Sequence, residues 1–333
     1  MKVVVTGGAG YIGATAVQAL LNSGHDVVVY DSLSKGHAQA VPPDVKLIRG
    51  DIADRAELDE LLSGHRPDAV VHLAAWIEAG ESMSRPEKYF RNNSASTLTL
   101  LESMLANGVR KFIFSSTAAL YGEPERIPIQ EDDTLKPTNA YGESKLLVER
   151  MLAWFHRIHG LRYSSLRYFN AAGSNGRSGE LHDPESHLIP IILQAAAGKR
   201  DHVSIFGTDY ATEDGTCIRD YIHVSDLADA HVLALEALST HDKLIYNLGN
   251  GAGFSVRQVL DSARRVTGKL IKSVEAPRRP GDPAVLVASS EKIRKELGWK
   301  PKHPGLDDIV TSAWHWMQQH PRGYAELAGT RLS

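Results

Sequence analysis

Tyr141 and Lys145 stand four residues apart in YGESK, a spacing that sets both side chains on one face of a helix. Pro137, Thr138 and Asn139 just before them read as a helix start, so the phenol falls in the first turn, where the helix dipole favours an anion. Thr117 closes a strand-like run, KFIFS followed by Ser116, and offers a hydroxyl that can share a proton or orient a substrate. A free tyrosine titrates at about 10, too high for a base at neutral pH. Most Tyr/Lys pairs at this spacing are only a helix face with a snorkelling lysine. The chemistry therefore depends on what else lies beside them.

The amino-terminal segment supplies it. KVVVT, from Lys2 to Thr6, reads as a buried parallel strand and runs directly into GGAGYIG, with Gly7, Gly10 and Gly13 allowing a tight turn into a helix. The N-terminus of such a helix is a seat for pyrophosphate. A second strand, DVVVY, ends on Asp31, roughly 20 residues past the glycines, where a carboxylate can accept hydrogen bonds from an adenosine ribose. Its charge repels a 2′-phosphate, which predicts NAD and not NADP. A lysine ammonium and an oxidised nicotinamide near Tyr141 would both stabilise phenolate and make it a general base toward a substrate hydroxyl.

Strand and helix patterns alternate through the first half of the chain and predict a doubly wound parallel sheet of α/β class. Helices are expected near 12–23, 55–63, 86–107 and 141–159, and strands at 2–6, 26–30, 46–49, 69–73, 111–115 and 163–167. Reactive groups in such sheets lie beyond the carboxyl ends of strands, here just after Leu73, Ser115 and Arg167. From Ala171 onward polar, Gly-rich stretches read as loops over a ligand. A helix at 225–238 and a strand at 245–248 are expected to rejoin the first sheet. The organisation predicted is an NAD-binding Rossmann domain of 1–170 plus about 225–254, with a smaller discontinuous substrate lobe of about 171–224 plus 255–333.

Bulk composition excludes several classes. The 333 residues carry a net charge of -3, which offers no electrostatic reason to bind nucleic acid or an anionic membrane. Cys217 is the only cysteine, so no internal disulfide can form and a reducing, cytoplasmic setting is expected. Residue 2 already begins a strand, which is read as leaving no room for a leader.

Taken together, the chain resembles the nucleotide-sugar 4-epimerases of the extended short-chain dehydrogenase/reductase family over nearly its full length. The resemblance rests on TGGAGYIG, GDI at 50–52, HLAA with GES at 80–82, NN at 92–93, FSSTAALYG, YGESK, RYFNAAG, SHLIP, RDYIHVSDLA, YNLGNG and APRRPGD. It implies a catalytic set of Tyr141, Lys145 and Thr117. It implies NAD contacts at Gly7, Gly10, Tyr11, Ile12, Gly13, Asp31, Asp51, Ile52, Asn92, Tyr141 and Lys145. Asn170, His187, Leu188, Arg219, Arg279 and Asp282, with Thr117, fall where the family binds the uridine diphosphate sugar, and Leu286 where it meets the substituent on carbon 2 of the hexose. One departure is Ile77, at a position where some relatives carry an NAD-contacting lysine. The family's dimers also suggest a homodimer through the helices at 86–107 and 141–159.

The implied activity is NAD-dependent inversion at carbon 4 of a UDP-hexose, UDP-galactose/UDP-glucose interconversion first and N-acetylated analogues second. A dehydratase or decarboxylase of the same fold is disfavoured, because relatives that dehydrate carry an Asp-Glu pair directly after this threonine and here Ala118 and Ala119 stand there. A catalytically silent NAD-binding regulator is disfavoured by retention of both Tyr141 and Lys145. His182, Asp183, Glu185 and His187 cluster in sequence without a metal-ligand spacing, so no metal is expected. Trp314 and Trp316 cannot both face one core; one is expected to cover a lobe or domain edge.

Overall fold

The computed structural model describes residues 1–279 and 281–325. Pro280 of the RRPGD stretch and residues 326–333 of the expected lobe lie outside the described residues. The main sheet is formed by β1 (Lys2–Thr6), β2 (Asp26–Asp31), β3 (Lys46–Arg49), β4 (Ala69–His72), β5 (Lys111–Thr117), β6 (Arg162–Tyr168) and the strand Lys243–Leu248. Its order is Lys243–Leu248, β6, β5, β4, β1, β2, β3, and every pairing is parallel.

The unbroken β-branched runs follow from burial on both faces. Val3 and Val5 point into one apolar layer with Val27, Val29, Val71 and Ile113, while Val4 points into the other with Val70, Phe112 and Phe114. Helix α1 (Tyr11–Asn22) and the helix Val224–Ala237 cover the first layer through Val17, Leu20, Leu227 and Leu235. Helix α2 (Arg55–His65) and the helices Ser96–Ala106 and Ala140–His159 cover the second through Leu58, Leu62, Leu100, Leu101, Val148 and Leu152. With apolar material above and below, a strand has no polar face to alternate with.

The segment after Ala171 is more ordered than its polar texture predicts. It carries a helix at Leu188–Ala196 and strands at Val203–Phe206 and Ile218–His223. The last of these pairs with Gly253–Ser255, Val285–Leu286 and Asn170–Ala172, and Val203–Phe206 pairs with Ser273–Ala276. These strands are short, and their partners lie far off in sequence, so no local alternation marks them. A third core joins them to the helices Leu188–Ala196, Val256–Thr267 and Leu306–Gln319 through Ile192, Val259, Leu260, Ile309 and Trp314.

Other departures concern single elements. The helix expected at 86–107 is interrupted by a π-helical stretch, Phe90–Ala95, between Pro86–Tyr89 and Ser96–Ala106. Residues 291–299, expected with the lobe, pack Ile293 and Trp299 into the first core layer, and Trp299 Nε1 donates to the Asp226 carbonyl at 2.9 Å. Trp314 and Trp316 are both buried, on different sides of their helix. Trp314 joins the lobe core, and Trp316 packs with Ala14, Ala40 and Tyr324 at the seam with α1.

Candidate active site

A cleft of about 1620 Å³ opens at the carboxyl ends of the parallel strands, between the sheet and the lobe. One-ligand pockets run to roughly 1,000 Å³. This one has room for a dinucleotide and a second nucleotide side by side. Of the residues expected to act in catalysis or to contact NAD or the UDP-sugar, every one except Lys145 lines it.

Its β1–α1 wall is shaped by glycine. Gly7 sits at φ +75, and a Cβ there would meet the Ala74 nitrogen at 2.5 Å; a Cβ on Gly13 would meet the Gly7 oxygen at 2.1 Å. Gly10, the N-cap of α1, has only that same oxygen near, at 3.4 Å, so its open side faces the cleft. That cradle, beside the uncapped start of a helix, fits a pyrophosphate. At the end of β2, Asp31 is buried with its carboxylate held by the Ala9 and Leu33 N–H groups at 2.9 and 2.8 Å. Each oxygen keeps a lone pair for a ribose. Asp51 and Ile52 continue this wall, and Tyr11 anchors the turn to the lobe by donating to the Gly173 carbonyl at 2.7 Å.

Tyr141 lies in the first turn of its helix, which begins at Ala140 as the spacing predicts, with Asn139 as N-cap accepting from the Gly142 N–H at 2.8 Å. Ser82 accepts the Tyr141 N–H at 3.1 Å and so ties this turn to the segment after β4. Burial pushes the phenol above its ordinary value and the hydrogen bond with Thr117 pulls against it, with nearby Glu78 adding to the rise. Lys145 sits beneath the wall and not on it. Its Nζ donates to the Ser115 carbonyl at 2.8 Å, and burial lowers it to about 7. The expected pull of Lys145 on the phenol is therefore not what dominates in the protein alone: desolvation does.

The end of β5 is braced by a buried network. Ser116 donates to Glu149 at 2.6 Å, Arg167 grips Glu149 through two bonds of 3.0 and 2.7 Å, and Arg167 also reaches the Tyr121 hydroxyl at 2.7 Å. Tyr121 in turn donates to Asn247 at 2.7 Å. Strand ends and the Tyr141 helix are thus locked together under Thr117.

On the π-helical stretch, Asn92 reaches the cleft while Asn93, its neighbour, is buried. Asn93 accepts the Trp76 N–H and donates to the Trp76 carbonyl, both at 2.9 Å, and donates to Ser144 at 3.1 Å. The extra residue in that turn lets adjacent asparagines serve opposite sides. Sequence reasoning missed Asn93 as a brace, and also Lys88. The Lys88 ammonium lies on the cleft wall, 3.7 Å over the ring of Trp76, the residue before Ile77, and 2.7 Å from Glu81. Its seven-residue spacing from Glu81 was the available signal.

The opposite wall comes from the lobe. Arg219 is ion-paired with Asp282, and its Nη1 donates to the Ile218 carbonyl at 2.7 Å. Arg279 lies 4.1 Å over the Phe206 ring. Leu286 pairs in register with Arg219, Asn170 with Tyr221, and His187 is the N-cap of the helix that opens at Leu188. Two guanidinium forks and an open helix start suit a diphosphate.

Residues 3–249 match the NAD dependent epimerase/dehydratase family. The chain belongs to this family. It is 55% identical over 328 residues, 98% of this chain and 98% of the relative, to a UDP-glucose 4-epimerase of Halalkalibacterium halodurans. A crystal structure of UDP-glucose 4-epimerase superposes with a TM-score of 0.95 at 48% identity, covering 97% of this chain and 99% of that one. UDP-glucose 4-epimerase from Brucella ovis in complex with NAD superposes with a TM-score of 0.91 at 46% identity, over 95% and 98%. The match to the epimerase/dehydratase family ends before Arg279, Asp282 and Leu286, whereas these full-length likenesses extend across the lobe.

Proposed function

We propose that the protein interconverts UDP-galactose and UDP-glucose with bound NAD, the two nucleotides lying along opposite walls of the cleft. The observation that carries this reading is the meeting of Thr117 and Tyr141 with both the glycine cradle and the arginine wall in one cavity. Bound NAD supplies the reversible removal and return of a hydride at carbon 4 of the hexose, by way of a 4-keto sugar. Gly7, Gly10, Tyr11, Ile12, Gly13 and Asp31 would hold its adenosine and pyrophosphate side, with Asp51 and Ile52 toward the adenine and Asn92 toward the nicotinamide. Lys145 supports that end from below through the Ser115 carbonyl.

As a phenolate, which the positive nicotinamide of bound NAD would stabilise against desolvation, the Tyr141 oxygen would take the 4-hydroxyl proton as carbon 4 is oxidised and give it back on reduction, while Thr117 orients the hydroxyl. Arg219, Arg279, His187, Leu188 and Asn170 hold the uridine diphosphate, so the sugar itself is free to turn and present its other face. Asp282 orients Arg219, and Leu286 sets the width beside carbon 2, permitting slower turnover of N-acetylated substrates. Ala118 and Ala119 provide no acid or base for dehydration.

We also propose a homodimer, a cytoplasmic setting, and division into a Rossmann domain and a substrate lobe. Trp154 and Ile158, exposed on the helix Ala140–His159, support the first. Cys217 is buried and free, and among the described residues no helix is long and apolar enough to cross a membrane. Incubation with UDP-galactose and chromatography of the sugar tests the function. UDP-glucose without net NADH is expected; NADH in step with product would indicate a dehydrogenase, and unchanged sugar a silent binder.

A further inference from the structure

The loop between the strand Asn170–Ala172 and the helix Leu188–Ala196 gathers four groups on the cleft wall, of which the reading above uses only His187. Glu180, His182, Glu185 and His187 bring one ligand atom each within 4.8 Å of all the others. Only three of the four stood out in the sequence; Glu180 joins them through the fold, and Asp183 turns outward, its carbonyl accepting from Lys35 at 2.5 Å. The atoms alternate imidazole and carboxylate. His187 Nδ1 lies 2.8 Å from Glu180 and 3.2 Å from Glu185, and His182 Nδ1 lies 3.5 and 3.7 Å from the same two.

Two observations make this more than a charge cluster. The carboxylates are nearly out of solvent, with 7% and 2% of their side chains exposed, and a buried carboxylate requires a positive partner, either the neighbouring imidazoles when protonated or an ion held between the four groups. His182 Nδ1 is shielded from solvent yet makes no hydrogen bond, its distances to both carboxylates being too long for one. Zinc bonds of about 2.0–2.2 Å to nitrogen and oxygen set tetrahedral ligand atoms about 3.3–3.6 Å apart. The contacts of 3.2, 3.5 and 3.7 Å lie near that spacing, with Glu185 turning Oε1 to His187 and Oε2 to His182, whereas the 2.8 Å His187–Glu180 contact has to lengthen to admit an ion.

We propose that Glu180, His182, Glu185 and His187 bind one divalent transition-metal ion of the zinc class. Two imidazoles select against magnesium and calcium, and four protein ligands leave no open position, so the ion is structural. It would pin the loop to the N-cap of the Leu188–Ala196 helix. The loop already meets the Rossmann side through Lys35 and through His37, which lies 3.3 Å from the Leu181 carbonyl.

The test uses the full chain, stripped with EDTA and titrated with Zn²⁺ against a chromophoric chelator, with elemental analysis after gel filtration. One equivalent per chain is expected, together with the strong visible absorption of four-coordinate cobalt when Co²⁺ replaces it. His182→Ala and Glu180→Gln should each weaken binding by ~10²-fold or more, since even outer partners of metal ligands contribute 10- to 100-fold. Substoichiometric Zn²⁺ on the unmutated chain would overturn the proposal and leave two imidazolium–carboxylate pairs in its place. Binding unchanged by His182→Ala would overturn it too, by locating the ion elsewhere. Should either variant fail to fold, thermal unfolding of the unmutated chain decides: stabilisation by Zn²⁺ and not by Mg²⁺ is expected, and equal responses refute it. Sugar turnover does not enter the test, so its outcome is separate from the catalytic reading.

Discussion

The β1–α1 wall of the cleft is built from backbone atoms and from residues close together in the chain, whereas the lobe wall is built from side chains of four separated segments. Gly7, Gly10, Gly13 and Asp31 lie within one strand–helix–strand unit, and their geometry is set by parallel pairing of β1 with β2. Arg219, Arg279, Asp282 and Leu286 meet only because Ile218–His223 pairs with Val285–Leu286 across more than sixty residues of chain. A wall of backbone tolerates little change but discriminates by shape. A wall of side chains tolerates single changes and discriminates by charge and width.

Tyr141, where the two walls meet, should give the largest effect. Tyr141→Phe keeps the ring and removes the oxygen, so turnover is expected to fall ~10²- to 10⁴-fold with both nucleotides still bound. Equal activity would end the proposed proton transfer.

Next come substitutions that should damage one wall and spare the other. Arg219→Gln should raise KM for the UDP-sugar and leave NAD content of the purified protein unchanged; Asp31→Ala should lower NAD content and relax discrimination against NADP. Asp31→Ala also strands the Ala9 and Leu33 N–H groups, at a cost of ~1–3 kcal/mol. If both variants lose both ligands, the two walls are one cooperative unit.

Gly13→Ala tests rigidity alone. Its Cβ would collide with the Gly7 oxygen at 2.1 Å, so the turn must open, costing ~1–3 kcal/mol in chemical denaturation and most of the bound NAD. Unchanged stability would mean that the turn is softer than its packing indicates.

Lys145 sharpens the comparison through pH. Its folded value near 7 lies below the ordinary lysine value of about 10.4, so between them the unfolded chain holds the extra proton and stability rises with pH from about 7 toward 10. Lys145→Met should flatten that rise in urea titrations of the ligand-free protein. A slope that survives would assign it to other groups.

The smallest effect concerns width. Leu286→Tyr should cut turnover of UDP-N-acetylglucosamine more than that of UDP-glucose, by the ~1–3 kcal/mol that pocket fit commonly contributes. An unchanged ratio would remove Leu286 from that role.

The sheet, its helices and the cofactor wall were legible because each is specified within about thirty residues. KVVVT and DVVVY announce parallel strands, and the glycines of GGAGYIG mark a tight turn into a helix, where Gly7 sits at φ +75 against the Ala74 backbone. The roles proposed for the lobe wall come only through resemblance, since nothing local distinguishes Arg219 from a solvated arginine. Three things stayed beyond reach of any local rule. The strands Val203–Phe206 and Ile218–His223 have partners chosen by tertiary packing. The π-helical turn that separates Asn92 from Asn93 lies inside an ordinary helical pattern.

The Glu180–His187 cluster needs a loop folded back on itself to bring four donors around one point. The sequence by itself determined the parallel sheet, the glycine turn, Asp31 at the second strand's end and Tyr141 in a first helical turn, because hydrophobic period, backbone freedom and helix capping act over short distances. Only the tertiary structure decided that Lys145 lies under the wall and not on it, that desolvation governs the Tyr141 phenol, and that Glu180 completes a four-donor set. Burial and the convergence of distant side chains are properties of the packed chain, which no stretch of residues carries alone.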